Sequence, residues 1–214
     1  MNFLETNSCY LSTAYLAPVT YYNCLANYKH SYVEYYETYS KQSYRNRCSI
    51  YTANGVLNLS IPVNAPNHTI IKDVKIDNSV SWQKHHFRSI LSAYSTSPYF
   101  IYYDYELQPF YENRYKFLLD FNEIVQSKIL DLIEVHAEVK PTSSFEKNLN
   151  NGEDFRNTIH PKKINMLPCP YYNQVFNDKL GFIPNLSIID LLFNKGPKSK
   201  EFLKCKKEEM KDLL

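Results

Sequence analysis

Four glycines, Gly55, Gly152, Gly181 and Gly196, are all that this chain of 214 residues contains, and each stands alone. A loop that cradles phosphate on backbone amides needs glycines close together, because a Cβ would hold the ligand away from the chain. No G-x-G-x-x-G, no P-loop and no G-x-S-x-G turn can be assembled from these four. Any ligand site must therefore be built from side chains. The chain is well supplied for that, with 20 Tyr and 12 Phe. The tyrosines gather between Tyr10 and Tyr44, between Tyr94 and Tyr115, and at Tyr171 and Tyr172. An apolar body with a polar tip suits core edges, sugar-stacking clefts and interfaces alike.

The length suffices for one domain with a core that needs no covalent staples. Cys9, Cys24, Cys48, Cys169 and Cys205 are odd in number, widely scattered and without a C-x-x-C pair, so no metal centre is expected and a reducing, cytoplasmic setting is. No window is long and apolar enough to span a membrane. Net charge is +2, and the basic excess sits in the last twenty residues, where seven Lys interleave with four acids. That pattern reads as a solvated helix over 198–214, not as a nucleic-acid surface.

The order of elements predicts an α/β fold: one compact domain over 1–197 with a mixed sheet, an Asn-Gly hairpin and several amphipathic helices. Cys9–Thr13 reads as a buried strand, Val19–Asn27 as a helix entered through Pro18, and Ser31–Glu34 as a second strand. Asn46–Tyr51 and Val56–Val63 flank Ala53-Asn54-Gly55, where Asn-Gly would supply the positive φ of a tight turn. Ile70–Ile76 looks extended. A helix follows from Val80 or Ser81, capped by Asp77 or Ser79. The stretch from Ser97 to Tyr111 reads as broken helical turns around Pro109, Tyr115–Ile133 as a long helix, and Val135–Val139 as a strand. Residues of about 141–165 form a polar, Asn-rich loop. In the last third, Asn185 or Ser187 would cap a helix that Gly196 closes and Pro197 keeps from resuming.

Two residues stand out within helices. Trp82, His86, Ile90 and Ala93 share one stripe, so His86 faces inward as either a structural or a catalytic imidazole. Asp190 is a lone carboxylate in an apolar run, and burying it demands a cation or hydrogen-bond donors.

Several runs together resemble the WbqC-like proteins of bacterial surface-polysaccharide gene clusters. They are Tyr15-Leu16 with Pro18 and Tyr21-Tyr22, Lys41-x-Ser43-Tyr44-x-Asn46-Arg47-x-x-Ile50, Asn54-Gly55 with Leu59-x-x-Pro62-Val63, and Ile71-Lys72-Asp73-Val74. Trp82 with His86, Ala93-Tyr94 with Pro98-x-Phe100, Tyr172-x-Gln174 and Phe182 to Gly196 complete the series in family order. Longer members carry a His-Gln-Pro-like stretch where this chain has Leu11-Ser12-Thr13-Ala14, and a further segment where it has the Asn-rich loop.

The resemblance implies a group-transfer enzyme acting on an activated sugar, nucleotide- or carrier-linked, in O-antigen-like glycan assembly. Lys41, Asn46 and Arg47 would then receive an anionic phosphate or carboxylate. His86 would act as acid or base with Asp190 as its orienter. Tyr172 and Gln174 would bind sugar hydroxyls, and Tyr15, Tyr94 and Asn185 would line the cleft. The contrasting reading is a non-catalytic binding or scaffold protein with a tyrosine-rich partner or glycan surface. Catalysis requires these residues to converge on one cleft, whereas a scaffold lets them spread out.

Overall fold

The structure is a computed structural model that describes residues 7–149, 151–163 and 169–204. Its centre is a four-stranded parallel sheet in the order β7-β2-β1-β8. β1 (Ser8–Ser12) runs into α1 (Val19–Asn27), which returns to β2 (His30–Glu34) alongside β1. This is the compact βαβ unit that a parallel pair requires. β7 (Val139–Pro141) adds to β2, and β8 (Glu153–Asp154) adds to β1. The sheet is thus purely parallel rather than mixed. β8 lies inside the segment expected to be loop: two residues are too few to show periodicity, yet they suffice to pair.

One face of β1 and β2, with Cys9, Leu11, Ser31 and Val33, is buried, and the opposite face carries Tyr10 and Tyr32 stacked 4.9 Å apart. Beside the sheet, β3 (Arg47–Thr52) and β4 (Gly55–Ser60) form an antiparallel hairpin. Only Gly55 has positive φ there, at 101°, while Ala53 and Asn54 do not. The turn therefore departs from the paired positive φ of an Asn-Gly type. β5 (Val63–Asn64) pairs with β6 (Lys75–Ile76), and a 3₁₀ turn over Ile71–Asp73 interrupts the stretch expected to be extended throughout.

Four helices carry most of the remaining core. α2 (Trp82–Tyr94) buries Trp82, His86, Ile90, Ala93 and Tyr94, as its spacing demands. Ser81, not Asp77 or Ser79, occupies its cap position, and Asp77 instead accepts a bond from the Ser79 amide. α3 (Phe100–Glu112) is continuous through Pro109, correcting the broken turns expected there. α4 (Leu118–Leu132) buries Asn122 and Gln126 among its apolar residues and leaves Ile124 exposed. After the short α5 (Asn177–Leu180), α6 (Ile188–Lys195) is buried over Ile188–Asn194 and ends at Gly196. The single turn α7 (Ser199–Phe202) follows, and the rest of the expected C-terminal helix lies outside the described residues.

The two ends of the fold are stitched together by main chain. Val19 N–H donates to Leu186 O at 3.0 Å, Ile188 N–H to Ala17 O at 2.9 Å, and Ser187 N–H to Ser49 O at 2.9 Å. Ser187 uses its hydroxyl on Leu16 O instead of on its own helix.

Candidate functional site

In open parallel sheets ligands bind beyond the carboxyl ends of the strands, where the connections diverge to either side. Here β1 sits between β2, reached through α1, and β8, reached from far along the chain, so that point lies at Ser12. Ser12 Oγ accepts from Arg45 Nη2 at 2.8 Å and lies 3.1 Å from Glu37 Oε2. Arg45 clasps Glu37 with Nε and Nη2, both residues being buried. Its remaining nitrogen, Nη1, has no protein acceptor among the described residues. At the neighbouring strand ends, Arg156 spends its donors on Glu34 Oε2 at 2.9 Å, on both Asp154 oxygens and on the Glu146 carbonyl. Arg156 is therefore a brace, while Arg45 keeps one nitrogen, Nη1, without a protein acceptor among the described residues. A cavity of about 400 Å³ opens beside them, lined by Tyr36, Glu37, Ser40, Arg45, Phe145 and Arg156.

The segment from Tyr36 to Asn46 forms one wall of this cavity and also one wall of a second, more open groove of about 650 Å³. Tyr39, Lys41, Gln42 and Asn46 line the groove from that segment, and Ser60, Pro62 and Asn64 line it from the hairpin side. Asn46 Nδ2 donates to Ile61 O at 2.8 Å, which fixes the groove floor. Lys41 has no carboxylate partner among the described residues, and Arg47 Nε meets only the Ser60 hydroxyl, at 3.2 Å. The groove thus carries one cation, Lys41, with Arg47 outside its lining, while the neighbouring cavity combines the paired charges of Glu37, Arg45 and Arg156 with Lys147, which forms no ion pair among the described residues. Tyr39 lines the groove; burial raises its hydroxyl's pKa, and the Arg45 and Arg47 charges oppose that rise.

Of the residues expected to form a site, Tyr172, Gln174, Asp190 and Tyr94 come together. The Tyr172 hydroxyl and Gln174 Nε2 each donate to Asp190 Oδ2 at 2.9 Å. Burial pushes the Asp190 carboxyl up to about 6, and these donors, with the nearby Tyr94 hydroxyl, hold it from rising further. Tyr94 also accepts the Tyr51 amide at 3.1 Å, which ties the cluster to β3. Asp190 Oδ1 has no hydrogen-bond partner among the described residues.

His86 and Tyr15 belong to a separate network, so the expected pairing of His86 with Asp190 does not form, and Lys41, Arg47, His86, Gln174 and Asp190 do not converge on one cleft. The Tyr15 hydroxyl lies 3.0 Å from His86 Nδ1 and 2.8 Å from the Tyr111 hydroxyl. Trp82 packs edge-on to the imidazole. Burial drives the His86 pKa down to about 4, with the Ser60 carbonyl pulling the other way. The imidazole is therefore neutral and sits behind the wall of the cationic groove. Asn185 stands apart from both networks, paired through its side chain with Thr20. Among the described residues no three His, Cys, Asp or Glu side chains gather as metal ligands would.

A model of the WbqC-like protein family matches residues 14–160 and 149–202. The chain belongs to this family. It is also 24% identical over 197 residues, covering 78% of this chain and 84% of the relative, to Uncharacterized protein Rv1507c of Mycobacterium tuberculosis (strain ATCC 25618 / H37Rv). No solved structure matches the chain. The family match takes in the whole Tyr36–Asn46 wall and both buried networks. Ser12 lies just ahead of it.

Glu37, Arg45 and Arg156 were not among the residues singled out from the sequence. They sit in irregular segments, where no periodicity marks a buried charge. One signal was present: Glu34 closes an expected strand, and a carboxylate at the carboxyl end of a parallel strand lies where such folds bind ligands. His160, half-buried just past β8, is a second such residue. Burial and the charges of Arg45, Lys162 and Lys163 all lower its pKa.

Proposed function

We propose that the protein binds an activated, phosphate-linked sugar across the two chambers walled by Tyr36–Asn46 and takes part in group transfer during assembly of a bacterial surface polysaccharide, in the cytoplasm. The observation that carries this reading is that one segment, Tyr36–Asn46, walls both a groove whose single charged lining residue, Lys41, has no ion-pair partner among the described residues and a cavity lined by Glu37, Arg45, Arg156 and Lys147. Phosphate oxygens suit Lys41 and Asn46 in the groove, with Arg47 beside its Ser60 edge, since contacts to the cations are charge-assisted. Sugar hydroxyls, which both donate and accept, suit Glu37, Ser12 and the Nη1 of Arg45. No helix of the described chain is long and apolar enough to cross a membrane. In this reading His86 and Asp190 are positioning residues. His86 backs the Ser60 wall, Asp190 orders the Tyr172–Gln174 segment, and His160 is the imidazole available to move a proton near Arg45.

The test is a thermal-shift and calorimetric titration with nucleotide-linked hexoses. Wild type is expected to show saturable stabilisation, weakened about tenfold or more in Lys41→Ala and in Arg47→Ala, the loss typical of a hydrogen bond to a charged group. An equal response in these variants, or none in wild type, overturns the reading.

A scaffold role has one observation in its favour. α3 turns Ile101, Tyr102 and Tyr105 outward, with 73%, 63% and 62% of their surfaces exposed. Under that reading, Ile101→Ser with Tyr105→Ser abolishes glycan display in cells while nucleotide-sugar binding stays intact.

A further inference from the structure

On the outward face of the parallel sheet the register sets one residue of each strand in a row: Asp154 on β8, Tyr10 on β1, Tyr32 on β2 and Lys140 on β7. The outer two are engaged, Asp154 by Arg156 and Lys140 by Glu138. The inner two are the half-buried stacked rings, and neither phenol hydroxyl bonds to another described residue. Gly152 fixes the Tyr10 ring in place. Its φ is 119°, and a Cβ there would come within 2.8 Å of Tyr10 Cε2 and 3.1 Å of Ser8 O, so only glycine lets the main chain back the ring this closely.

The two rings line a pocket of about 170 Å³, below the roughly 300–1,000 Å³ of sites for drug-sized ligands and suited to a single small ring. The segment that leaves β7 forms its rim. Ser144 and Glu146 line the pocket, while Phe145 and Lys147, alternating with them, line the 400 Å³ cavity instead. Buried Arg156 holds this partition, donating Nη2 to Glu146 O at 2.8 Å and placing its guanidinium 5.2 Å from the centre of the Phe145 ring. Glu34, one of two acids in the lining, is fully engaged: Oε1 accepts the Thr142 hydroxyl at 2.7 Å and the Tyr36 amide at 2.9 Å, and Oε2 accepts Arg156 Nη1 at 2.9 Å. Glu146, the other, forms no ion pair among the described residues, and no Lys, Arg or His is among the described residues lining the pocket. Its charge is felt at Tyr10, whose pKa is raised by burial first, then by Tyr32 and Glu146, against Arg156. The pocket is thus aromatic and anionic, opposite in sign to the Lys41 groove.

We propose that this pocket is a second ligand site that takes one protonated amino sugar, its ring against Tyr10 and Tyr32, its ammonium on the Glu146 carboxylate and its hydroxyls on Ser143 and Ser144. Tyrosine suits such a ring because its apolar body meets the C–H faces while its polar tip meets the hydroxyls. The ammonium contact is the strong one, being a charge-assisted bond to a carboxylate that has no other cation. A phosphate or carboxylate would meet like charge here and no compensating donor of positive sign. The pocket lies apart from the two chambers walled by Tyr36–Asn46, and its occupancy does not rest on the activated-sugar reading.

Ligand-observed NMR titrations of the full chain with glucosamine, glucose and N-acetylglucosamine, at constant ionic strength and at a pH where the free amine is protonated, test the site. Glucosamine is expected to saturate wild type, with the two neutral sugars weaker by about tenfold or more, the loss typical of a hydrogen bond to a charged group. Glu146→Gln is expected to bring glucosamine down to the level of glucose with the Tm unchanged, since Glu146 is exposed. Tyr32→Ala is expected to weaken all three sugars, and Lys41→Ala to leave them as in wild type. The proposal is overturned if glucosamine does not saturate, if a neutral sugar binds wild type as tightly, or if Glu146→Gln keeps the preference for the charged sugar. The comparison of sugars on wild type decides the charge preference without any variant. Because nucleotide-sugar binding is read through Lys41 and Arg47, either reading can fail alone.

Discussion

At the scale of single residues, His86 and Asp190 are matched opposites. His86 has its pKa lowered to about 4, so the stability gained by keeping it neutral is complete above its ordinary value of 6.5 and is lost as pH falls through 4. Asp190 has its pKa raised to about 6 from 3.8, so its contribution is complete below 3.8 and is lost as pH rises through 6. Each spans about 3 kcal/mol, and across pH 4–6 the two slopes oppose one another. Relative to wild type, Asp190→Asn is therefore expected to lose Tm progressively on acidification through this window, and His86→Gln to lose it as pH rises. Tm measured every half unit checks both, and parallel curves for the three proteins would refute the pairing of slopes. Asp190 was legible in the sequence because one carboxylate interrupts an apolar run. Arg45 was not, since its burial is set by Glu37 and Ser12, and nothing in the order Ser43-Tyr44-Arg45 signals an inward charge.

At the scale of elements, helices with a clear apolar stripe, α2 and α4, were readable, and so was the stop of α6. Gly196 there has φ of 54°, and a Cβ at that position would come within 2.4–2.7 Å of the Tyr99 ring, including its Cγ. The ring base cannot swing away as a flexible tip would. Gly196→Ala thus combines a left-handed backbone penalty with overpacking, and is expected to cost about 2–4 kcal/mol in chemical denaturation. A loss below about 1 kcal/mol would show that α6 and Tyr99 relax independently. The shortest strands were read poorly: the strand expected over Val135–Val139 forms instead at Val139–Pro141, and β8 was not expected at all. β7 and β8 exist because β1 and β2 offer free edges, and pairing on an edge is a property of the neighbour more than of the added residues.

At the scale of the whole molecule, the α/β class followed from the order of elements, but the location of the site did not. It depends on which strands are neighbours, and the long-range pairing of β8 with β1 fixes the crevice at Ser12. The stitching of residues 16–19 to 186–188 gives a test of integrity. A chain truncated after Ile183 leaves those main-chain groups and the wall that covered Tyr94 without partners, and is expected to show no cooperative unfolding transition. A sharp transition near the full-length Tm would mean that α6 is an accessory. The same stitching has a consequence during synthesis. At about 5–20 residues per second, on the order of ten to thirty seconds separate the making of Pro18 from that of Ser187. Throughout that interval the newborn chain carries the Leu16 and Ala17 carbonyls and the start of the tyrosine-rich α1 without the segment that bonds to them, so this part of the fold is completed only near the end of synthesis.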